Sequence, residues 1–171
     1  FCFFGNTYNR IIVGSNGVCS FNATNAAAGN SLQIPGTIPS ATPADLMNSI
    51  MGPWQDIDPT NQGQIFYELG GTAPCRYFKV SWYNSPYYGA DNSISTGSCP
   101  GQDLRATQQI ILYETTNLID IYIQQKQTCA NWNGGLAIEG IQNANGTQAV
   151  SVPGRNATQW TATNSAHRFT P

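Results

Sequence analysis

Residues 118–125, LIDIYIQQ, constrain the fold most strongly: Ile119, Ile121 and Ile123 alternate with Asp120, Tyr122 and Gln124. Successive side chains of an extended chain point to opposite faces, so this spacing makes a strand with one apolar and one wet face. A period of two also runs through GQIFYELGG (63–71), CRYFKVSWYN (75–84) and ATQQIILYETT (106–116). ETTN is a tight turn, so 106–125 reads as a hairpin. FCFFG, RIIVGS, the Asn16-Gly17 turn and VCSF read as consecutive hairpin strands at the start of the chain. Beyond Cys129, NWNGG leads into the strand LAIEGIQ, and NANGT into QAVSV. Strands joined this way predict an all-β fold, an antiparallel β-sandwich with long loops. Residues 22–43 form a long irregular connection of Ala, Asn, Gly, Pro and Thr. One short helix is expected in TPADLMNSIMG (42–52), with Thr42 as N-cap and Pro43 at the first helical position.

With 171 residues the chain can bury one real core, so residues 1–171 are expected to be a single domain. Four Trp, 8 Tyr and 7 Phe supply that core and argue against disorder. Only 9 % of residues are charged and the net charge is −2, so no basic patch exists for nucleic acid or an anionic membrane. No apolar run approaches 18 residues, which leaves nothing to insert into a membrane as a spanning helix. Cys2, Cys19, Cys75, Cys99 and Cys129 lack zinc-site spacing and read as disulfides formed outside the cytoplasm, with one thiol left over. Both ends of the chain, Phe1 and HRFTP, read as cuts from a larger secreted protein.

GPWQDIDP (52–59) sets Asp56 and Asp58 two apart beside Trp54. Calcium needs six to eight oxygens, which two carboxylates and nearby loop carbonyls could supply, although the DxDxDG spacing is missing. The stronger reading is architectural, with Asp56 and Asp58 accepting hydrogen bonds from loop N–H groups while Pro59 ends the strand. Catalysis is the weak reading. His167 stands alone near the end, in a segment expected to be mobile or linker-bound, and no nucleophile motif accompanies it. Glu114 and Asp120 are further acids, expected on the surface of a hairpin. SWYNSPYYG and CANWNGG offer a carbohydrate site instead: Tyr87, Tyr88 and Trp132 for stacking, with Asn84 reading hydroxyls. Trp82 alternates with Val80 and Phe78 and belongs to the core.

IIVGSNGVCSF, PWQDIDP, GQIFYEL, YFKVSWYN, QQIILYETTNLIDIYIQ, GGLAIEGIQNANGT and VPGRNATQW occur in an order that resembles the nidogen-like (NIDO) extracellular domain. The likeness is greatest to the bacterial version in large surface proteins exported by the type IX secretion system, including gliding-motility adhesins. It implies a β-sandwich module at the cell surface, outer-membrane-attached or secreted, within a longer chain. No enzyme is implied. Expected partners are a surface polysaccharide or protein ligand and neighbouring domains of the same chain. The resemblance further implies a Cys99–Cys129 disulfide spanning the hairpin that holds Gln108 to Ile123. Cys2 and Cys19, on neighbouring hairpin strands, are the expected second pair, although exchange among Cys2, Cys19 and Cys75 stays open.

Overall fold

The computed structural model describes residues 1–25, 36–42, 46–60, 62–90 and 99–171. Two five-stranded antiparallel sheets face each other, and a two-stranded ribbon, β1 (Cys2–Phe3) with β2 (Asn6–Thr7), forms a ladder of its own and packs Phe3 into the core between them. The first sheet contains β3 (Ile12–Val13), β4 (Val18–Ser20), β5 (Ser49–Trp54), β10 (Leu136–Gln142) and β11 (Ala149–Gln159), in the order β11-β10-β5-β4-β3. The second contains β6 (Gln64–Gly70), β7 (Tyr77–Pro86), β8 (Arg105–Tyr113), β9 (Ile119–Lys126) and β12 (Ala162–Phe169), in the order β12-β9-β8-β7-β6. Short 3-10 turns at Ala23–Asn25 and Asn133–Gly135 punctuate the loops. Among the described residues no helix is long and apolar enough to cross a membrane.

The alternation produces the packing it predicts. Along β8, Ala106, Gln108, Ile110 and Leu112 are buried while their neighbours are partly exposed. Ile119, Ile121 and Ile123 of β9 join them against Cys19 and Ile50 of the opposite sheet and Val80 and Trp82 of β7. Each such aliphatic side chain contributes about 1.5–3 kcal/mol by leaving water. Two buried polar groups tie the sheets together: the Trp82 indole donates to the Gly14 carbonyl (3.0 Å) and Gln108 Nε2 to the Pro53 carbonyl (3.0 Å). Gly17, at φ +77°, completes the β3–β4 turn, and a Cβ there would lie 2.2 Å from both Gln108 Nε2 and the Pro53 oxygen. The sheets therefore meet over a glycine for steric reasons as well as conformational ones.

Three expectations are corrected. The segment proposed as a helix at 42–52 ends in the wholly buried strand β5; positions 43–45 of it lie outside the described residues. β5 shows no alternation because both its faces are covered. Ile50 enters the main core, while Met51 and Trp54 pack with Val18, Ile38, Leu46 and Ile138 in a second cluster. Pro53 has no N–H for the ladder, and the β5–β10 register shifts beside it, between Ile138 and Gly140. The C-terminal stretch is strand rather than linker: His167 sits in β12, paired with Ile121 of β9. Asp120 is buried, not a surface residue, because Arg168 of β12 covers it with two hydrogen bonds, 2.6 and 2.8 Å.

Candidate functional site

Residues 55–58 leave β5 and cross toward the other sheet, where Ile57 forms an isolated bridge with Tyr87. The Asp58 N–H donates to the Pro86 carbonyl (2.8 Å) and the Tyr88 N–H to the Asp56 carbonyl (3.2 Å). This pairing lays QDID against SPYY, so the acidic motif and the aromatic motif become one structure. A third piece comes from the loop after β9. The Cys99–Cys129 disulfide, with Cα atoms 6.0 Å apart, fixes that loop, and the N–H of Trp132 donates to the Cys129 carbonyl (3.1 Å). Positive φ at Asn133, Gly134 and Gly135 then turns the chain into β10.

At the junction the Trp132 indole donates to Asp56 Oδ2 (2.7 Å), and the Tyr88 ring stands over Trp132 with centroids 5.2 Å apart and planes tilted by 36°. Tyr88 is half exposed, while Asp56 is buried. Burial raises the Asp56 pKa; hydrogen bonds from Trp132 and Asn16 oppose that shift, and the nearby Asp58 charge adds to it. Asn16 Oδ1 also accepts the Ile57 N–H (3.2 Å), which ties the β3–β4 turn to the same strand crossing. Asp58 Oδ1 accepts the backbone N–H of Thr60 (3.0 Å) and the Thr60 hydroxyl, an Asx-type turn. Both carboxylates therefore do architectural work. Asp56 Oδ2 and Asp58 Oδ1 already accept from protein donors, and among the described residues no third acid, His or Cys joins the pair.

Tyr87 is a correction. It was expected on an exposed loop with Tyr88, but it is 5 % exposed and its hydroxyl lies against two acceptors, Gln55 Oε1 (2.8 Å) and the Gln127 carbonyl. The bridge to Ile57 turns it inward and Tyr88 outward, as adjacent residues of a strand must. Burial raises its pKa. Asn84 is exposed on β7, with φ +51°, and its N–H is taken by Thr107 Oγ1 (3.0 Å). It takes no part in the Tyr88–Trp132 contact. Cys2 and Cys19 are both free thiols, a second correction. Cys2 lies in the separate β1–β2 ribbon, whereas Cys19 lies in β4 with its side chain sealed in the core, where burial holds its pKa far above the usual thiol value. Cys75 is also free and exposed, on the β6–β7 connection.

Sequence reasoning missed a second cluster, joined to the first through the Gln127 carbonyl, which meets both the Tyr87 hydroxyl and Lys126 Nζ. Glu139 of β10 is completely buried; Arg155 Nη1 of β11 pairs with its Oε2 (2.5 Å) and His167 Nδ1 of β12 lies 2.9 Å from its Oε1. Trp160, between β11 and β12, carries the Arg155 guanidinium over its ring at 4.4 Å and the Lys126 ammonium at 4.6 Å. Lys126 Nζ donates to the carbonyls of Trp160 (2.6 Å) and Gln127 (3.0 Å). Burial, followed by the charge of Arg155, lowers the Lys126 pKa to about 7. An isolated Glu within LAIEGIQ was the one available signal: a charge on a strand that is otherwise apolar or small is conspicuous in a chain so poor in charge.

Residues 1–171 match the family model described as NIDO related. No curated protein and no solved structure matches the chain.

Proposed function

The chain belongs to the NIDO-related family, and on that premise we propose that it is a non-catalytic extracellular module, serving adhesion or spacing in a cell-surface protein. The observation that carries the reading is what the described acids do. Asp56 accepts from Trp132, Asp58 from Thr60, Glu114 pairs with Arg76, Asp120 with Arg168, and Glu139 with Arg155 and His167. Glu68 pairs with Lys79 and Asp103 with Arg105. Groups committed in this way shape a fold, whereas general acid–base chemistry calls for an acid or base aimed at a substrate. A buried disulfide accords with an oxidising compartment. The finer setting proposed, from the resemblance of the motifs, is a bacterial surface protein exported by the type IX system, which cell fractionation and surface labelling of the producing organism would test.

A second reading is favoured by one contact. Tyr88, half exposed and packed on Trp132, offers an aromatic platform of the kind that stacks on sugar faces. Binding of the chain to a polysaccharide panel, once in calcium and once in chelator, separates the readings. Binding insensitive to chelator and lost in Tyr88→Ala supports a glycan platform. Binding lost in chelator shows a need for calcium and makes the Asp56–Asp58 segment the candidate site for it. Silence in both buffers supports adhesion through protein partners, or spacing.

A further inference from the structure

Each five-stranded sheet has two edges, and three of the four are guarded. β3 is only two residues long. β11 carries Pro153 and Gly154 and is broken by register shifts against β10. β12 is polar along most of its length, carries His167 and Arg168, and skips a partner at Asn164, which has φ +51°. Short length, proline, bulges and charge are the devices that keep an edge from pairing with another strand. The fourth edge, β6, is neither short, proline-bearing nor bulged, and it carries a single charge, Glu68. Its sequence is QIFYELG, without Lys, Arg or Pro, and its seven residues pair with β7 in unbroken register.

β6 is also apolar where it is most exposed. Ile65 and Tyr67 pair with the buried Trp82 and Val80, so with Leu69 they face the inner side of their sheet. That face is uncovered at β6: Ile65 is 37 % exposed, Tyr67 76 % and Leu69 74 %, and Phe66 on the outer face is 50 %. Leu69 and Phe78 continue into a groove of about 760 Å³ whose far wall includes Tyr8 and Ile11. A strand seated on this edge must be extended, flat and apolar at alternate positions.

We propose that the occupant is β6 of a second copy of this chain, paired antiparallel about a two-fold axis through Tyr67 to make a continuous ten-stranded sheet. β6 meets its own requirements. About that axis Tyr67 faces Tyr67 of the second copy and Ile65 faces its Leu69, so the apolar row continues across the seam. Phe66 faces Glu68 rather than Glu68 facing itself. Glu68, the one charge on the strand, is already matched within its own copy by Lys79 (2.7 Å) and the Tyr77 hydroxyl. Pairing thus opposes no like charges, and the interface is isologous, as a closed dimer requires. The inference stands on the edge alone and is independent of the function proposed above.

Sedimentation velocity of the 171-residue chain is the test, run up to about 100 µM, where interfaces of the weak, transient class associate. The expected result is a mass rising from one chain toward two. Tyr67→Lys, which sets two ammonium groups face to face at the axis, should remain a monomer at every concentration, with an unchanged circular dichroism spectrum and melting curve. Tyr83→Lys, at an exposed aromatic one strand inward, should dimerise like the wild type. A wild type that stays monomeric throughout overturns the proposal, and leaves the edge to a strand from another protein. Dimers of Tyr67→Lys as strong as those of the wild type overturn it as well.

Discussion

Asp56 is buried beside a second acid, and the Trp132 N–H is the largest influence keeping it ionised. Its folded pKa is raised, so the folded state holds the proton more tightly than the unfolded chain; its contribution to stability falls as pH climbs through that window and is constant above it. Trp132→Phe keeps most of the ring and deletes the donor. It should cost about 1–2 kcal/mol in guanidinium unfolding at neutral pH, the cost of leaving a buried acceptor without its partner. The cost should shrink on acidification and be smallest below the ordinary Asp value, where both states are protonated. An unchanged difference at low pH would show that lost packing, not the hydrogen bond, sets the effect. Gly17→Ala meets a left-handed φ and two atoms at 2.2 Å, and should cost about 2–4 kcal/mol, read as a drop in Tm. At this scale the sequence exposes members and hides partnerships. Asp56 and Trp132 are each conspicuous, yet 76 residues separate them, and no local pattern reports a contact across that distance. Tyr87 and Tyr88 look alike in sequence; a single bridge at Ile57 decides which is core and which is surface.

β9 shows how an element can be read correctly and still mislead at its end. Ile119 to Ile123 face the core as the alternation requires. Then the pairing with β8 shifts between Thr107 and Gln108, so Gln124 is left without a partner, and the phase changes. Gln124 and Gln125 are both exposed and Lys126, which strict alternation would place with Tyr122, is buried. Lys126 therefore titrates near neutrality. Its folded pKa lies below the unfolded value, so the unfolded chain binds more protons above about pH 7, and stability rises with pH there. Between pH 7 and 8.5 the gain should be about 1–2 kcal/mol; Cys19, with a raised folded pKa, acts in the opposite direction at higher pH. Guanidinium titrations across that interval should show the rise in wild type and a flat line in Lys126→Met. β5 failed for the converse reason. A strand buried on both faces has no alternation to read, and its Pro and Gly argue for a turn.

Across the whole molecule, the all-β class, most of the hairpins and the Cys99–Cys129 link were legible, because each follows from local period, turn residues or the resemblance of ordered motifs. Strand order was not, since β10 and β12 owe their places to pairings with β5 and β9, segments far away in the chain. The disulfide closes a separation of 30 residues around β8 and β9. Cys99→Ser with Cys129→Ser should lose about 3–4 kcal/mol on the chain-entropy estimate, measured by thermal or guanidinium unfolding. The fold should survive, because the β8–β9 ladder and its core do not depend on the link.

The Glu139 cluster joins the sheets on one flank only. There Trp160 carries the chain directly from one sheet to the other, Arg155 and His167 meet on a single carboxylate, and Lys126 closes the inside. On the far flank the two-residue β3 and the bare edge of β6 leave a groove. The sandwich is bound like a book, with its spine at Trp160 and its fore-edge at β3 and β6. Thermal opening of a bound volume starts at the fore-edge. Amide exchange should therefore be slowest in β9 and β10 and fastest in β3, and Glu139→Gln should loosen the spine enough to flatten that gradient.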